Sequence, residues 1–161
     1  MTTLRACLGN FLTGVTVVTF RRGPDVHGIT VNSFTSVSLD PPLVLVSLDR
    51  NSRAAGSLDA GPYAINFLAE QQRGLALHFA GRPMRAPVRW TTDAAGPPLL
   101  AGTVGHLVCH PWRRYDGGDH LLFIGSVTHF EVTGGRPLAF FRGGFPRLAV
   151  ENHQLSRKDH P

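Results

Sequence analysis

Six small hydrogen-bonding side chains lie between two apolar runs, in the stretch HGITVNSFTSVSLDPPLVLVSLD at residues 27–49. Alternate residues of a strand point to one side of a sheet. Hydroxyl and amide groups spaced in this way can line a concave wall that binds a ligand rich in donors and acceptors. The alternative is a solvated hairpin that stops at Pro41-Pro42. The six residues are Thr30, Asn32, Ser33, Thr35, Ser36 and Ser38.

A second polar set follows the next apolar run, at residues 49–53, DRNSR. Ser52 is a residue type that begins helices, and the N-terminus of a helix attracts anions. Arg53 beside it can bind a phosphate through two parallel N–H groups. The alternative is an ordinary helix cap beside a surface arginine.

Two further stretches place a basic side chain beside glycines. His120 follows Gly118-Asp119 and begins a very apolar run, so its ring can lie free at the mouth of a barrel. Arg142 lies in PLAFFRGGFPRL, residues 137–148, where it can contact a phosphate or stack on a base. Each has a plain alternative: a turn histidine without chemistry, and a surface arginine at a turn.

The usual loops and ligand clusters of nucleotide and metal sites are missing from the sequence. It contains neither GxGxxG nor GxxxxGK[ST], so a bound nucleotide must be held by other means. His106, Cys109 and His110 do not make a convincing metal site, because on a strand Cys109 points away from both histidines. Two cysteines are too few for a disulfide framework.

The elements that must position these residues are mostly strands. Helical signals are confined to residues 3–12, 53–60 and 70–80. Apolar runs joined by connections that carry Gly and Pro predict strands at 15–20, 27–34, 43–49, 63–68, 103–109, 120–132 and 137–141. Seven short strands with few helices indicate an all-β barrel or sandwich, with a bend at Gly125 in the longest strand. We expect one domain over residues 1–150 and a polar tail over 151–161.

Composition narrows the class of protein. The chain has 161 residues, 42% of them hydrophobic and 17% charged, and a net charge of +5 with a pI of about 10.2. Fifteen of the sixteen cations are scattered arginines, which argues against a nucleic-acid-binding module. No apolar run is long enough to span a membrane, and the N-terminus lacks a signal-peptide pattern. A cytoplasmic protein is therefore the default expectation.

Taken together and in this order, the motifs resemble those of the short-chain flavin reductase family, the reductase components of two-component flavin-dependent monooxygenases. The resemblance runs from about residue 8 to 148. It rests on FLTGVTVVT (11–19), HGITVNSFTSVSLDPPLVLVSLDRNSR (27–53), YAINFLAEQQ (63–72), FAG (79–81), GDHLLFIGSV (118–127) and PLAFFRGGFPRL (137–148). It implies a mainly β fold, a split β-barrel of the Greek-key, FMN-binding type with a few short helices, and a homodimer.

The resemblance also implies an activity and a site. Proteins of the family transfer hydride from NADH or NADPH to FMN or FAD and release the reduced flavin to a partner monooxygenase. His120 is implied near the nicotinamide, where it helps to position the reduced cofactor. Flavin and nicotinamide contacts are implied for Thr30, Val31, Asn32, Ser33, Ser36, Ser47, Leu48, Ser52, Arg53, Asn66, Phe67, His78, Phe79, Arg142, Gly143 and Phe145.

The residue types fit this chemistry. Hydride passes directly between the two cofactors, so the protein must stack two flat rings and donate hydrogen bonds, with no nucleophile required. The family further implies that flavin is a co-substrate that leaves after reduction. One departure is FFRGGFPRL at 140–148, where relatives often carry tyrosines. The competing interpretation is a flavin-binding barrel without reductase activity, serving as a flavin store or in another oxidation.

Overall fold

A computed structural model describes residues 3–91 and 96–149 of the chain. Two α-helices, α1 and α2, and one 3₁₀ turn accompany eleven strands, β1 to β11. The helical elements are α1 (Leu4–Leu8), the 3₁₀ turn (Glu70–Gln72) and α2 (Arg73–His78). The strands are β1 (Thr13–Gly14), β2 (Thr16–Arg22), β3 (Asp25–Val31), β4 (Thr35–Leu39), β5 (Pro42–Asp49), β6 (Tyr63–Phe67), β7 (Trp90–Thr91), β8 (Leu99–Leu100), β9 (Gly105–Gly117), β10 (His120–Val132) and β11 (Ala139–Phe140).

Seven of these strands form one antiparallel sheet in the order β3-β2-β6-β9-β10-β5-β4. The sheet curls so that its first strand, β3, also lies against β5 near the opposite edge. The long strands β9 and β10 pair along their whole length, with register shifts at Ile124/Gly125 and at Val127/His129. Such bulges bend a strand and help a sheet to close. The mainly β fold expected from the sequence is confirmed.

The two faces of the sheet bury two apolar clusters. Val18 points into the barrel with Val46, Ile65 and Phe123. Val17, one residue earlier, points to the opposite face and packs with Leu68. This period of two buries β2 on both sides and gives the site a rigid support.

The predicted strands are all present, with shifted ends, and the bend at Gly125 coincides with a bulge. Strand β9 is longer than expected because it continues past Pro111, which lies at the Gly125 bulge, where a missing N–H is tolerated. Strand β4 was not predicted, because its polar sequence TSVSL follows an exposed edge of the sheet.

Two helix predictions need correction. Residues 53–60 form successive turns instead of a helix, held mainly by bonds between residues three apart, such as Ser57 N–H to the Ala54 carbonyl. The exposed Gly56 in the middle of this segment weakens a helix there. The N-terminal helix ends at Leu8, before its predicted limit of residue 12, because Asn10 donates its side-chain N–H to the Ala6 carbonyl at 2.8 Å and so caps the last turn.

Within the described residues, no helix is long and apolar enough to cross a membrane. The predicted polar tail at 151–161 lies outside the part of the chain that the structure describes.

Candidate functional site

The end of β3 and the residue after it form one wall of a cavity of about 370 Å³. Thr30, Val31 and Asn32 supply this wall. Residues Ala76, Leu77, Ala80 and Arg82, at the end of α2 and just beyond it, line a second side, and Phe140, Gly143 and Phe145 line a third. Two stretches that are more than 100 positions apart in the sequence therefore face one space, as expected if both contact the same ligand.

Thr30 joins the wall to α2. Its hydroxyl donates to the Ala76 carbonyl at 2.7 Å, and its backbone N–H donates to the Phe79 carbonyl at 3.2 Å. The hydroxyl oxygen keeps a lone pair for a ligand donor. Thr30 thus holds the wall in place and can still contact a ligand.

Asn32 is exposed and makes no side-chain hydrogen bond to any other residue that the structure describes. It lines the 370 Å³ cavity and also a larger apolar groove of about 900 Å³. The groove is lined by Phe34 and Phe67, whose rings pack edge to face with centroids 5.1 Å apart, and by the exposed Phe11. An amide between two open spaces, beside aromatic rings, suits a flat heteroaromatic ligand.

A third cavity, of about 260 Å³, lies at the other half of β3. Arg53 lines it together with Arg22 and His27, and the Phe79 ring forms part of its wall. Only glycine fits at position 28, because a Cβ there would lie 2.7 Å from the Phe79 ring. Two guanidinium groups and an imidazole around one small space can hold a phosphate.

Ser52 does not begin a helix. Its side-chain oxygen accepts a hydrogen bond from the Ala55 N–H at 3.3 Å, within the turns that follow β5. The helix N-terminus predicted for anion binding at this point is therefore absent, and Arg53 is the group from this segment that faces the 260 Å³ cavity.

His120 lies at the start of β10, opposite Asp49 of β5. Its Nδ1 is 2.7 Å from a carboxylate oxygen of Asp119, and its side chain is 42% exposed. This hydrogen bond, with the nearby imidazole charge, lowers the pKa of Asp119. Arg50 ties the turn to β5 by donating to the Gly118 carbonyl through Nε and Nη2. His120 is thus held at the end of β5, and it lines none of the three cavities described above.

Arg142 does not line the 370 Å³ cavity, although its neighbour Gly143 does. Its guanidinium binds Asn10 instead, with both Nε and Nη2 donating to Oδ1 of that residue. The guanidinium also lies 5.0 Å from the centroid of the Phe141 ring.

Other predicted site residues are engaged within the protein. Ser33 and Ser47 hydrogen-bond to each other. The side chain of Leu48 is 1% exposed and packs in the barrel core. His78 uses Nδ1 to accept the Met84 N–H at 3.2 Å. Ser36 is exposed on the edge strand β4, away from the three cavities.

Asn66 is completely buried, and all its polar groups are used. Its amide N–H groups donate to the Val17 carbonyl and the Thr19 hydroxyl, and its oxygen accepts the Leu100 N–H at 2.9 Å. Asn66 therefore stabilises β2 and β8 beneath the site and has no polar atom left for a ligand.

Sequence patterns do not single out four of the lining residues, Arg22, His27, Arg82 and Phe11, or Asn10, which binds Arg142. The pair Arg21-Arg22 was visible only as charge, and His27 only as the first residue of the polar stretch. Nothing local to Asn10 signals a partner 132 positions away.

The family model described as "Flavin reductase like domain" matches residues 8–149. An NADH-dependent flavin reductase from Rhodococcus sp is 41% identical, over 98% of this chain and 89% of that protein. An NADH-dependent FAD reductase from Streptomyces globisporus is 43% identical, over 92% of this chain and 86% of that protein.

Solved structures of flavin reductases are also similar to this chain. The flavin reductase PheA2 superposes with a TM-score of 0.85 at 38% identity, covering 91% of this chain and 96% of that one. The styrene monooxygenase flavin reductase from Pseudomonas putida S12 superposes with a TM-score of 0.83 at 35% identity, covering 92% of this chain and all of that one.

Proposed function

The chain belongs to the flavin reductase-like domain family, and we propose that it transfers hydride from NADH to FMN or FAD and supplies the reduced flavin to a partner monooxygenase. The match to the family over residues 8–149, almost the whole chain, is the observation that carries this proposal. A relative named as an NADH-dependent flavin reductase, 41% identical over 98% of the chain, supports the choice of reductant. The styrene monooxygenase flavin reductase supports a monooxygenase as the recipient.

The donor set along β3 fits a flavin. The Thr30 hydroxyl oxygen and the free Asn32 amide offer acceptors and a donor for the polar edge of the ring. Phe34 and Phe67 offer apolar surface for its dimethylbenzene side. Arg22, His27 and Arg53, around the 260 Å³ cavity, are the groups to hold a phosphate.

When both nucleotides are bound, hydride passes from nicotinamide C4 to flavin N5. The protein supplies position and electrostatics to this step. The wall at Thr30–Asn32 orients the ring and donates hydrogen bonds as the ring gains electrons. The turn at Gly143 faces that wall across the 370 Å³ cavity. This cavity leaves space for a second flat ring close to the first.

The predicted role of His120 stays part of this proposal. Its Nδ1 is held by Asp119, so the imidazole is oriented with Nε2 directed away from that carboxylate. A His120→Ala variant should bind flavin as the unsubstituted protein does and oxidise NADH more slowly. His129→Ala is the matched control, because His129 is an exposed histidine of the same strand. Unchanged NADH oxidation in the His120 variant would remove this residue from the mechanism.

Flavin acts here as a co-substrate that leaves after reduction. Asn32 is exposed and Thr30 and Val31 are half-buried, so a ligand on this wall stays accessible from solvent, which supports this part of the proposal. Purified protein should lose its flavin on dialysis. Retention of one flavin per chain through dialysis would contradict it.

A homodimer in the cytoplasm completes the proposal. Several large apolar side chains are exposed, among them Leu8 and Phe11 at 64% and 76% and Phe130 and Val132 at 67% and 81%, and contact with a second copy would bury such side chains. Light scattering during gel filtration measures the oligomeric state, and a mass of one chain would contradict the dimer.

The deciding experiment is NADH and NADPH oxidation, followed by absorbance, with FMN, FAD or riboflavin in excess. Rapid flavin-dependent oxidation of NADH is expected, and the comparison shows which pair is preferred. Flavin binding without turnover would favour the alternative, a flavin-binding barrel without reductase activity.

A substitution of Arg53 tests whether the 260 Å³ cavity binds the flavin phosphate. Arg53→Ala should weaken FMN binding much more than riboflavin binding, because riboflavin has no phosphate. Arg136→Ala is the control, since Arg136 is exposed and lines none of the three cavities. An equal loss for both flavins would place the phosphate elsewhere.

A further inference from the structure

The turn that faces the flavin wall has an unusual residue at its first central position. Phe141 and Gly144 exchange two backbone hydrogen bonds of 2.9 Å, and the two residues between them both have positive φ, 47° at Arg142 and 79° at Gly143. This is the pattern of a type I′ turn, in which asparagine or glycine is favoured at the first central position. Arginine in the left-handed region is disfavoured and must be held by its surroundings.

Asn10 and its neighbour provide that support. The Arg142 N–H donates to the Gly9 carbonyl at 2.9 Å. The Arg142 Nε and Nη2 both donate to Oδ1 of Asn10, at 2.8 and 2.5 Å. Arg142 is the only non-glycine residue with positive φ in the described chain, and its side chain is bound at a point that is 132 positions away in the sequence.

The oxygen and the nitrogen of the Asn10 side-chain amide contact different parts of the protein. Oδ1 accepts from Arg142, whereas Nδ2 donates to the Ala6 and Cys7 carbonyls at 2.8 and 3.3 Å and caps α1. The Arg142 turn and the helix therefore share one side chain. Because the two contacts use different atoms, substitutions can separate them.

We propose that Asn10 is a positioning residue of the reductase, whose side-chain oxygen holds Arg142 and thereby fixes the turn that bears Gly143 against the cavity opposite Thr30–Asn32. The proposal rests on the proposed function. With flavin on the Thr30–Asn32 wall, the nicotinamide is the ring that the turn must contact. Loss of the Asn10 acceptor should then weaken the productive binding of NADH and leave flavin binding unchanged.

The main test compares Asn10→Ala with two variants that disturb α1 only. In Asn10→Ala the KM for NADH should rise about tenfold or more, the effect of losing a hydrogen bond to a charged group. Asn10→Asp keeps an acceptor for Arg142 and loses the helix cap, so its KM should stay near that of the unsubstituted protein. Thr3→Ala removes the other cap of α1, where Thr3 Oγ1 accepts the Ala6 N–H, and should also leave KM near normal.

A double-mutant cycle with Arg142→Ala gives a second readout. The KM for NADH should rise in Arg142→Ala and rise no further when Asn10→Ala is added, because both remove the same contact. The flavin dissociation constant, measured by fluorescence quenching, should be the same in all variants.

Two results would overturn the proposal. One is a KM in Asn10→Ala that stays within about twofold of the unsubstituted protein. The other is an equal rise in Thr3→Ala or Asn10→Asp, which would show that α1 alone matters. Failure of the proposed function is distinguishable, because the unsubstituted protein would then show no flavin-dependent NADH oxidation at all.

Discussion

The side chain of Ser33 closes the barrel by binding the backbone of Ser47. Its hydroxyl donates to the Ser47 carbonyl at 2.8 Å and accepts the Ser47 N–H at 3.0 Å. The residues lie just after β3 and within β5, the two strands that meet when the sheet curls. Two residues for which the family resemblance implies flavin contacts therefore join the two strands that meet where the sheet curls.

Ser33→Ala should lower the free energy of unfolding by about 2 kcal/mol, because the Ser47 N–H and carbonyl lose their partner at a half-buried position. Urea unfolding measures the change. Ser36→Ala is the matched control, since Ser36 is exposed on β4, and it should change stability by less than about 0.5 kcal/mol. Equal effects of the two substitutions would show that the Ser33 contact adds nothing to stability.

Substitutions at Asn66 and Asn32 should affect protein stability and flavin binding separately. Asn66→Ala leaves a buried carbonyl and a buried N–H without partners and should cost about 3 kcal/mol of stability, with flavin affinity of the folded protein unchanged. Asn32→Ala should have the reverse effect, weak flavin binding at near-normal stability, because its amide is exposed. Fluorescence titration and urea unfolding of both variants give the comparison. A loss of flavin affinity in folded Asn66→Ala would restore the role predicted for it from sequence.

Gly125→Ala should destabilise the barrel by about 3 kcal/mol. A Cβ at this bulge would lie 2.1 Å from the Tyr63 hydroxyl oxygen and 3.0 Å from Cβ of Cys109, both in the core. Gly56→Ala is the control, because nothing lies within 4 Å of its added Cβ and its φ is not in the left-handed region. Thermal unfolding distinguishes the two substitutions, and equal melting temperatures would contradict the clash.

Adding Tyr63→Phe to Gly125→Ala should recover part of the lost stability, because it removes the hydroxyl oxygen that lies closest to the new Cβ. The Tyr63 hydroxyl is buried and has no hydrogen-bond partner among the described residues, and burial raises its pKa. Its removal alone should therefore cost little or stabilise the protein. A strong destabilisation by Tyr63→Phe alone would show that the hydroxyl forms a stabilising hydrogen bond.

His106 should make stability depend on pH. Burial lowers the pKa of its imidazole below the ordinary value of 6.5, partly opposed by Glu131, whose carboxylate lies 3.9 Å away, while His129 lowers it further. Between the lowered folded pKa and 6.5, the unfolded chain binds more protons than the folded one, so stability falls as pH falls. Stability should be complete above pH 6.5 and decline below it. His106→Gln should show a smaller decline over the same range in urea midpoints, and an unchanged slope would exclude His106 as its source.

The amino-acid sequence by itself determined the strands, the polar wall and the glycine turn. The apolar runs of β2 and β5 are a local property, and side chains that point alternately to opposite faces follow from the strand conformation. The polar run at residues 30–38 and the glycines at 143–144 are also local signals; the glycines lie in a turn, and Thr30 and Asn32 of the polar run line the 370 Å³ cavity.

Only the tertiary structure decided which of these side chains remain available to a ligand. Ser33, Asn66 and Arg142 have the residue types of ligand contacts, yet their polar groups bind other parts of the protein. Their partners are 14, 49 and 132 positions away, so no local pattern reveals them. Folding also brings Arg22 and His27 beside Arg53 in one cavity. A hydrogen-bonding group has the same sequence signature whether it is satisfied inside the protein or open to a ligand, and the packing of distant segments determines which it is.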